Sequence, residues 1–137
     1  MDFGIAGKVA LVTGASRGLG FAAAAALSAE GCNVAICGRD ERRITAAAQA
    51  IGAHPVVADI AAPDGPEGAV NDAAATLGPV DILVANAGGP APGGFMAVDD
   101  AAWEHAIQQN LMGTVRLMRA AVPPMRERGW GRNITIT

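Results

Sequence analysis

A doubly wound α/β domain built on a parallel sheet is what this 137-residue sequence predicts, and three observations carry that expectation. Short apolar runs with β-branched residues recur along the chain, each followed by a helix-forming tract, the alternation expected of parallel strands joined by crossover helices. The first run leads directly into a turn of three glycines, Gly14, Gly18 and Gly20, that opens a helix. The fourth run ends in a second loop of small residues. Right-handed crossovers then give the strand order 3-2-1-4-5, with a crevice between strands 1 and 4 beside both loops.

Val9 to Val12 are unbroken apolar residues, suited to a strand covered on both faces. Leu19 to Glu30 is alanine-rich and helical, and Gly31 stops it. Asn33 to Cys37 is the second strand. Asp40 to Ile51 is the second helix, with Asp40 as N-cap and Gly52 as stop. Pro55 to Asp59 reads as the third strand. Two prolines and two glycines over Ala61 to Gly68 predict a loop or broken first turn before a helix from about Ala69 to Leu77.

Val80 to Ala85 is the fourth strand, followed by the loop Asn86 to Gly94. From Asp99 to Arg126 a helical tract carries two adjacent apolar stripes. One is Trp103, Ile107, Leu111, Val115, Met118 and Val122, and the other Ala106, Gly113, Leu117 and Ala121. Pro123 and Pro124 predict a kink or a separate last turn. Asn133 to Thr137 begins a fifth strand.

Composition excludes several classes. A hydrophobic content of 51% with 17% charged residues predicts a folded domain, and a formal charge of −3 without a basic tract offers no nucleic-acid footprint. No apolar stretch approaches the roughly 20 residues of a membrane span. The expectation is a cytoplasmic protein with no membrane partner, in which Cys32 and Cys37 are free thiols. His54 and His105 have no ligand-spaced neighbours, so no metal site is expected.

The glycine turn lets backbone N–H groups approach a phosphate, and the positive end of the following helix favours negative charge there. It reads as a pyrophosphate cradle. Thr13-Gly14-x-x-x-Gly18-x-Gly20 resembles the signature of the short-chain dehydrogenase/reductase family, and the loop Gly88-Gly89-Pro90-Ala91-Pro92-Gly93-Gly94 further resembles that of its 3-oxoacyl carrier-protein reductase-like members. The resemblance implies a Rossmann-type fold. It also implies that Gly14, Ser16, Arg17, Gly18, Leu19 and Gly20 bind a nicotinamide dinucleotide.

At the end of strand two an acid suits the ribose hydroxyls of NAD, whereas the 2′-phosphate of NADP needs cations. Arg39 occupies that corner, and Arg17 is a second guanidinium able to reach the same phosphate. NADP(H) is therefore the expected cofactor. NAD(H) is the alternative, through Asp40. By the same resemblance Asp59 accepts from the adenine amino group and Ile60 joins it in the cofactor site. Asn86-Ala87-Gly88 supports the sheet and lines the pocket, and Asn110 binds a water that relays protons to a catalytic lysine. A turn cap is the plainer reading of Asp59, and an exposed helical polar residue that of Asn110.

Family members complete their chemistry with a serine after strand five and a Tyr-x-x-x-Lys pair. This sequence has no tyrosine, and its one lysine, Lys8, precedes strand one. The expectation is one incomplete dinucleotide-binding domain over residues 1–137, truncated after strand five and inactive alone. The parent enzyme would act on a small-molecule carbonyl or alcohol and form a homo-oligomer. A non-catalytic nucleotide-binding or regulatory protein, or a protein binding another phosphate ligand, are the competing readings.

Overall fold

The computed structural model describes every residue from Met1 to Thr137. β1 (Val9–Thr13), β2 (Asn33–Gly38), β3 (His54–Val57), β4 (Ile82–Ala85) and β5 (Arg132–Thr135) form one parallel sheet in the order β3-β2-β1-β4-β5. This is the expected order. β1 lies at the centre, with Leu11 paired to Ala35 on one side and Leu83 on the other.

Because side chains alternate across a strand, β1 feeds two cores. Leu11 packs with Val56, Leu83, Leu117, Ala121 and Met125 on one face, while Ala10 and Val12 pack with Ile36, Ile44, Ile82 and Val84 on the other. The first face is covered by α3 (Gly65–Leu77) and α5 (Gly113–Arg128), the second by α1 (Gly18–Ala29) and α2 (Glu41–Ile51). Asp40 caps α2 as expected, its Oδ1 accepting the Arg43 N–H at 3.0 Å, and Gly52 ends that helix in the left-handed region.

The end of the sheet away from the glycine loops is pinned by Asp81. Its Oδ2 accepts the Val9 N–H at 3.0 Å and its Oδ1 pairs with Arg128 at 3.2 Å. Nearby, the Trp130 ring has Lys8 Nζ 4.3 Å and the Arg132 guanidinium 4.7 Å from its centre, a double cation–π contact.

Four expectations need correction. β3 ends at Val57, two residues short of Asp59. The Ala58 N–H still bonds the Gly38 carbonyl, but Asp59 then turns the chain, its Oδ1 accepting the Ala61 N–H at 2.9 Å. α3 begins at Gly65 rather than near Ala69, because Pro66 falls in the first turn, where a missing N–H costs nothing.

The long helical tract is not continuous. α4 (Asp100–Ile107), capped by Asp99, passes through a π-turn over Gln108–Met112 into α5. Pro123 and Pro124 do not end α5, which runs on to Arg128. The carbonyls that lose an N–H partner belong to Arg119 and Ala120, neither of them buried, while Ala121 and Met125 remain pinned in the core.

Of the two apolar stripes, Gly113, Leu117 and Ala121 are buried. Trp103, Ile107, Leu111 and Met118 are 37–57% exposed and form an uncovered apolar face. β5 is an edge strand with all four residues exposed. No helix is long and apolar enough to cross a membrane.

Candidate functional site

The carboxyl ends of β1 and β4 are joined through one side chain. Thr13, fully buried, donates from Oγ1 to the Asn86 carbonyl at 2.8 Å and accepts the Asn86 N–H at 3.0 Å. Asn86 Nδ2 in turn donates to the Gly14 carbonyl at 3.0 Å. The two glycine-rich loops are thereby fixed to each other at the point where strand order reverses.

The fit is too close for larger residues. Gly14 has φ +58°, and a Cβ there would stand 2.8 Å from the Asn86 carbonyl oxygen. Gly20 is buried beneath the turn, where a Cβ would stand 2.5 Å from the Gly14 carbonyl.

Between the loops opens a crevice of about 370 Å³. Its walls include Gly14, Ser16, Arg17, Gly18 and Leu19 from the first loop, Arg39 after β2, Asp59 and Ile60 after β3, and Asn86, Ala87 and Gly88 after β4. Every residue expected to bind the cofactor is therefore brought to one cavity except Gly20. That glycine contributes by permitting close packing rather than by lining the crevice.

The N-terminus of α1 points an uncapped end at this cavity. Arg17 occupies its N-cap in extended backbone and makes no side-chain cap bond, in contrast to the Asp caps of α2 and α4. First-turn N–H groups are left without side-chain acceptors, which is the donor set a phosphate requires. After β2 the rim carries Arg39 and Arg43, both exposed.

Asp40 lies between these arginines in sequence but is engaged. One oxygen caps α2, and the other lies 3.7 Å from Arg43 Nε. Asp59 spends one oxygen on the Ala61 N–H, so the turn-cap role is real; its second oxygen accepts no protein hydrogen bond. Cys37, on the crevice wall, is buried, and burial pushes its thiol up to about 12, so it stays protonated at neutral pH.

Asn110 is not drawn into the crevice. It is exposed, and its Nδ2 donates to the Ala106 carbonyl at 3.0 Å, one turn back. Its amide serves a carbonyl at the entry of the π-turn. The preceding residue takes the inward place. Gln109 is 8% exposed, lines the crevice, and donates from Nε2 to the Gly88 carbonyl at 2.6 Å.

Sequence reasoning missed Gln109 and Arg43. The signal for Arg43 was legible, since it falls in the first turn of the helix that Asp40 caps, close in sequence to Arg39. Gln109 had no such signal, because the π-turn alters the register.

The sequence pattern that defines the short chain dehydrogenase family matches residues 8–137. The 3-oxoacyl-(acyl-carrier-protein) reductase FabG of Escherichia coli strain K12 is 37% identical over 132 residues, covering 95% of this chain and 54% of the relative. Nodulation protein G of Azospirillum brasilense is 40% identical over 136 residues, 95% of this chain and 55% of its own. The chain spans about half the length of the curated relatives it matches.

Among solved structures, L-sorbose reductase of Gluconobacter frateurii, complexed with NADPH and L-sorbose, superposes with a TM-score of 0.91. It is 37% identical and covers 98% of this chain and 54% of that one. An actinorhodin polyketide ketoreductase with NADPH gives 0.89 at 33% identity, over 95% of this chain and 52% of that one.

Proposed function

The chain belongs to the short chain dehydrogenase family, and from that premise we propose that it forms the NADP(H)-binding part of an oxidoreductase acting on a carbonyl or alcohol. The observation that carries this reading is the crevice at the β1/β4 switch, lined by both an uncapped helix end and a cationic rim. The pyrophosphate lies against the first turn of α1. Arg17 and Arg39 take the 2′-phosphate, with Arg43 adding positive charge and holding Asp40 away from it. Asp59 has one free oxygen for the adenine amine, and Ile60 and Ala87 supply apolar wall.

When bound, NADPH supplies a hydride from C4 of its nicotinamide. This chain's residues bind and orient the dinucleotide. The resembled family protonates the substrate oxygen through a tyrosine assisted by a lysine, and the 137 residues contain no tyrosine and a single lysine at the far end of β1. Asn110, one residue on from Gln109, holds a relay water in the whole protein. Purified alone, the 137 residues are expected to bind NADPH and to show no NADPH-dependent reduction of a test ketone. Measurable turnover would contradict this.

The uncovered face of Trp103, Ile107, Leu111 and Met118 suits a second copy of the chain, so the parent is read as a homo-oligomer. A non-catalytic nucleotide-binding role is the second reading, favoured by the absence of tyrosine.

Arg39→Asp tests the cofactor assignment. NADPH affinity should fall by at least about tenfold while NADH is less affected, the loss of one charge-assisted hydrogen bond plus the repulsion of a new anion. Equal loss for both dinucleotides would make Arg39 a structural residue.

A further inference from the structure

Two polar side chains are buried in this protein, Thr13 and Gln109. Thr13 is spent, giving and receiving a hydrogen bond at Asn86. Gln109 is only half spent. Its Nε2 donates to the Gly88 carbonyl at 2.6 Å, and because a carbonyl can only accept, this bond fixes which end of the amide is nitrogen. The Oε1 atom receives no hydrogen bond from the protein. No buried side-chain polar atom is sealed off without a partner, so Oε1 keeps some exposure, on a residue that lines the crevice.

The placement is built by packing rather than by chance. The π-turn ends at Gly113, where a Cβ would stand 2.8 Å from the Ile60 carbonyl, so this segment is pressed against the loop after β3. On its other side a Cβ at Gly88 would stand 3.2 Å from Gln109 Nε2.

We propose that Gln109 works as a two-ended carboxamide: Nε2 holds the loop after β4 at Gly88, while Oε1 accepts a hydrogen bond from an N–H or O–H of the bound dinucleotide. This rests on the dinucleotide reading above and adds a recognition contact to it. An amide oxygen accepts and cannot donate, so a phosphate has nothing to offer it. The matching groups are an exocyclic amine or a ribose hydroxyl. A ligand that dries the crevice must replace the water on Oε1 or forfeit that hydrogen bond, which makes the residue selective as well as attractive.

Calorimetric titration of the chain and of Gln109→Met with four probes tests the contact. These are NADPH, its hypoxanthine counterpart without the adenine amine, its 3′-deoxyadenosine counterpart without that hydroxyl, and 2′,5′-adenosine bisphosphate without the nicotinamide half. Gln109→Met should weaken NADPH about tenfold and weaken the probe lacking the partnered group by less than about twofold, the pattern of a coupled pair. The probe that escapes identifies the donor.

Equal loss with all four probes would reduce Gln109 to a loop clamp, and no loss with NADPH would remove it from binding altogether; either result overturns the proposal. Gln109→Asn, one methylene shorter, is read by the same criteria, with a melting curve confirming that each variant is folded. Failure of the unsubstituted chain to bind any probe would overturn the dinucleotide reading itself, and this proposal with it.

Discussion

Cys37 shows how the site's burial reaches stability. The thiol sits at the carboxyl end of β2, 1% exposed, and burial above all, with Asp72 and Asp59 adding their negative fields, pushes it up to about 12. Its ordinary value is 9.0. The native state therefore keeps its proton more firmly than the unfolded chain. Below about pH 9 both states are protonated and the contribution is complete. Above it the unfolded chain ionises first, and stability falls by up to about 1.4 kcal/mol per pH unit. Urea midpoints measured from about pH 8 to about pH 11 should decline, and Cys37→Ala should flatten that decline. Cys32, also raised by burial, leaves part of the slope in place. Identical slopes with and without Cys37 would contradict the assignment.

At this same scale the sequence reveals structure where chemistry is local and conceals it where register matters. Asp40 followed by Glu41, Arg42 and Arg43 announces a helix cap, and the cap is there. Asn110 and Gln109 are adjacent polar residues, and a 3.6-residue period carried through a π-turn misjudges which of them faces inward.

Among elements, the join between β1 and β4 matters most. Thr13 makes two hydrogen bonds to the backbone of Asn86 from a fully buried position, so Thr13→Val keeps the shape and strands an N–H and a carbonyl. The expected cost is about 2 kcal/mol or more of unfolding free energy, seen as a lowered denaturant midpoint at unchanged m-value. An unaltered midpoint would show that the two loops are held by the sheet alone. β1, β2, α1 and α2 were legible because a glycine or a capping acid bounds them, whereas the end of β3 was not, because Asp59 turns the chain instead of continuing the strand. The start of α3 was not, since Pro66 signals a loop in sequence and a first turn in structure. Likewise Pro123 and Pro124 read as a break, yet α5 continues because Leu117, Ala121 and Met125 anchor the same face on the sheet.

For the molecule as a whole, the order β3-β2-β1-β4-β5 is the one expected from strand–helix alternation, right-handed crossovers and the two glycine-rich loops. The crevice follows from the order. What the pattern of residues could not give is the cavity's third wall, where Gln109 arrives from a distorted helix, or the fact that both oxygens of Asp40 face partners, the Arg43 N–H and the Arg43 guanidinium. Both depend on contacts between segments that no local period encodes.

The central claim is that this crevice selects a 2′-phosphorylated nicotinamide dinucleotide. Direct titration of the chain with NADPH, NADH and ATP under one set of salt conditions tests it most simply. The arginine rim predicts NADPH tighter than NADH by at least about tenfold, and tighter than ATP. Equal affinity for the two dinucleotides, or a preference for ATP, would contradict it.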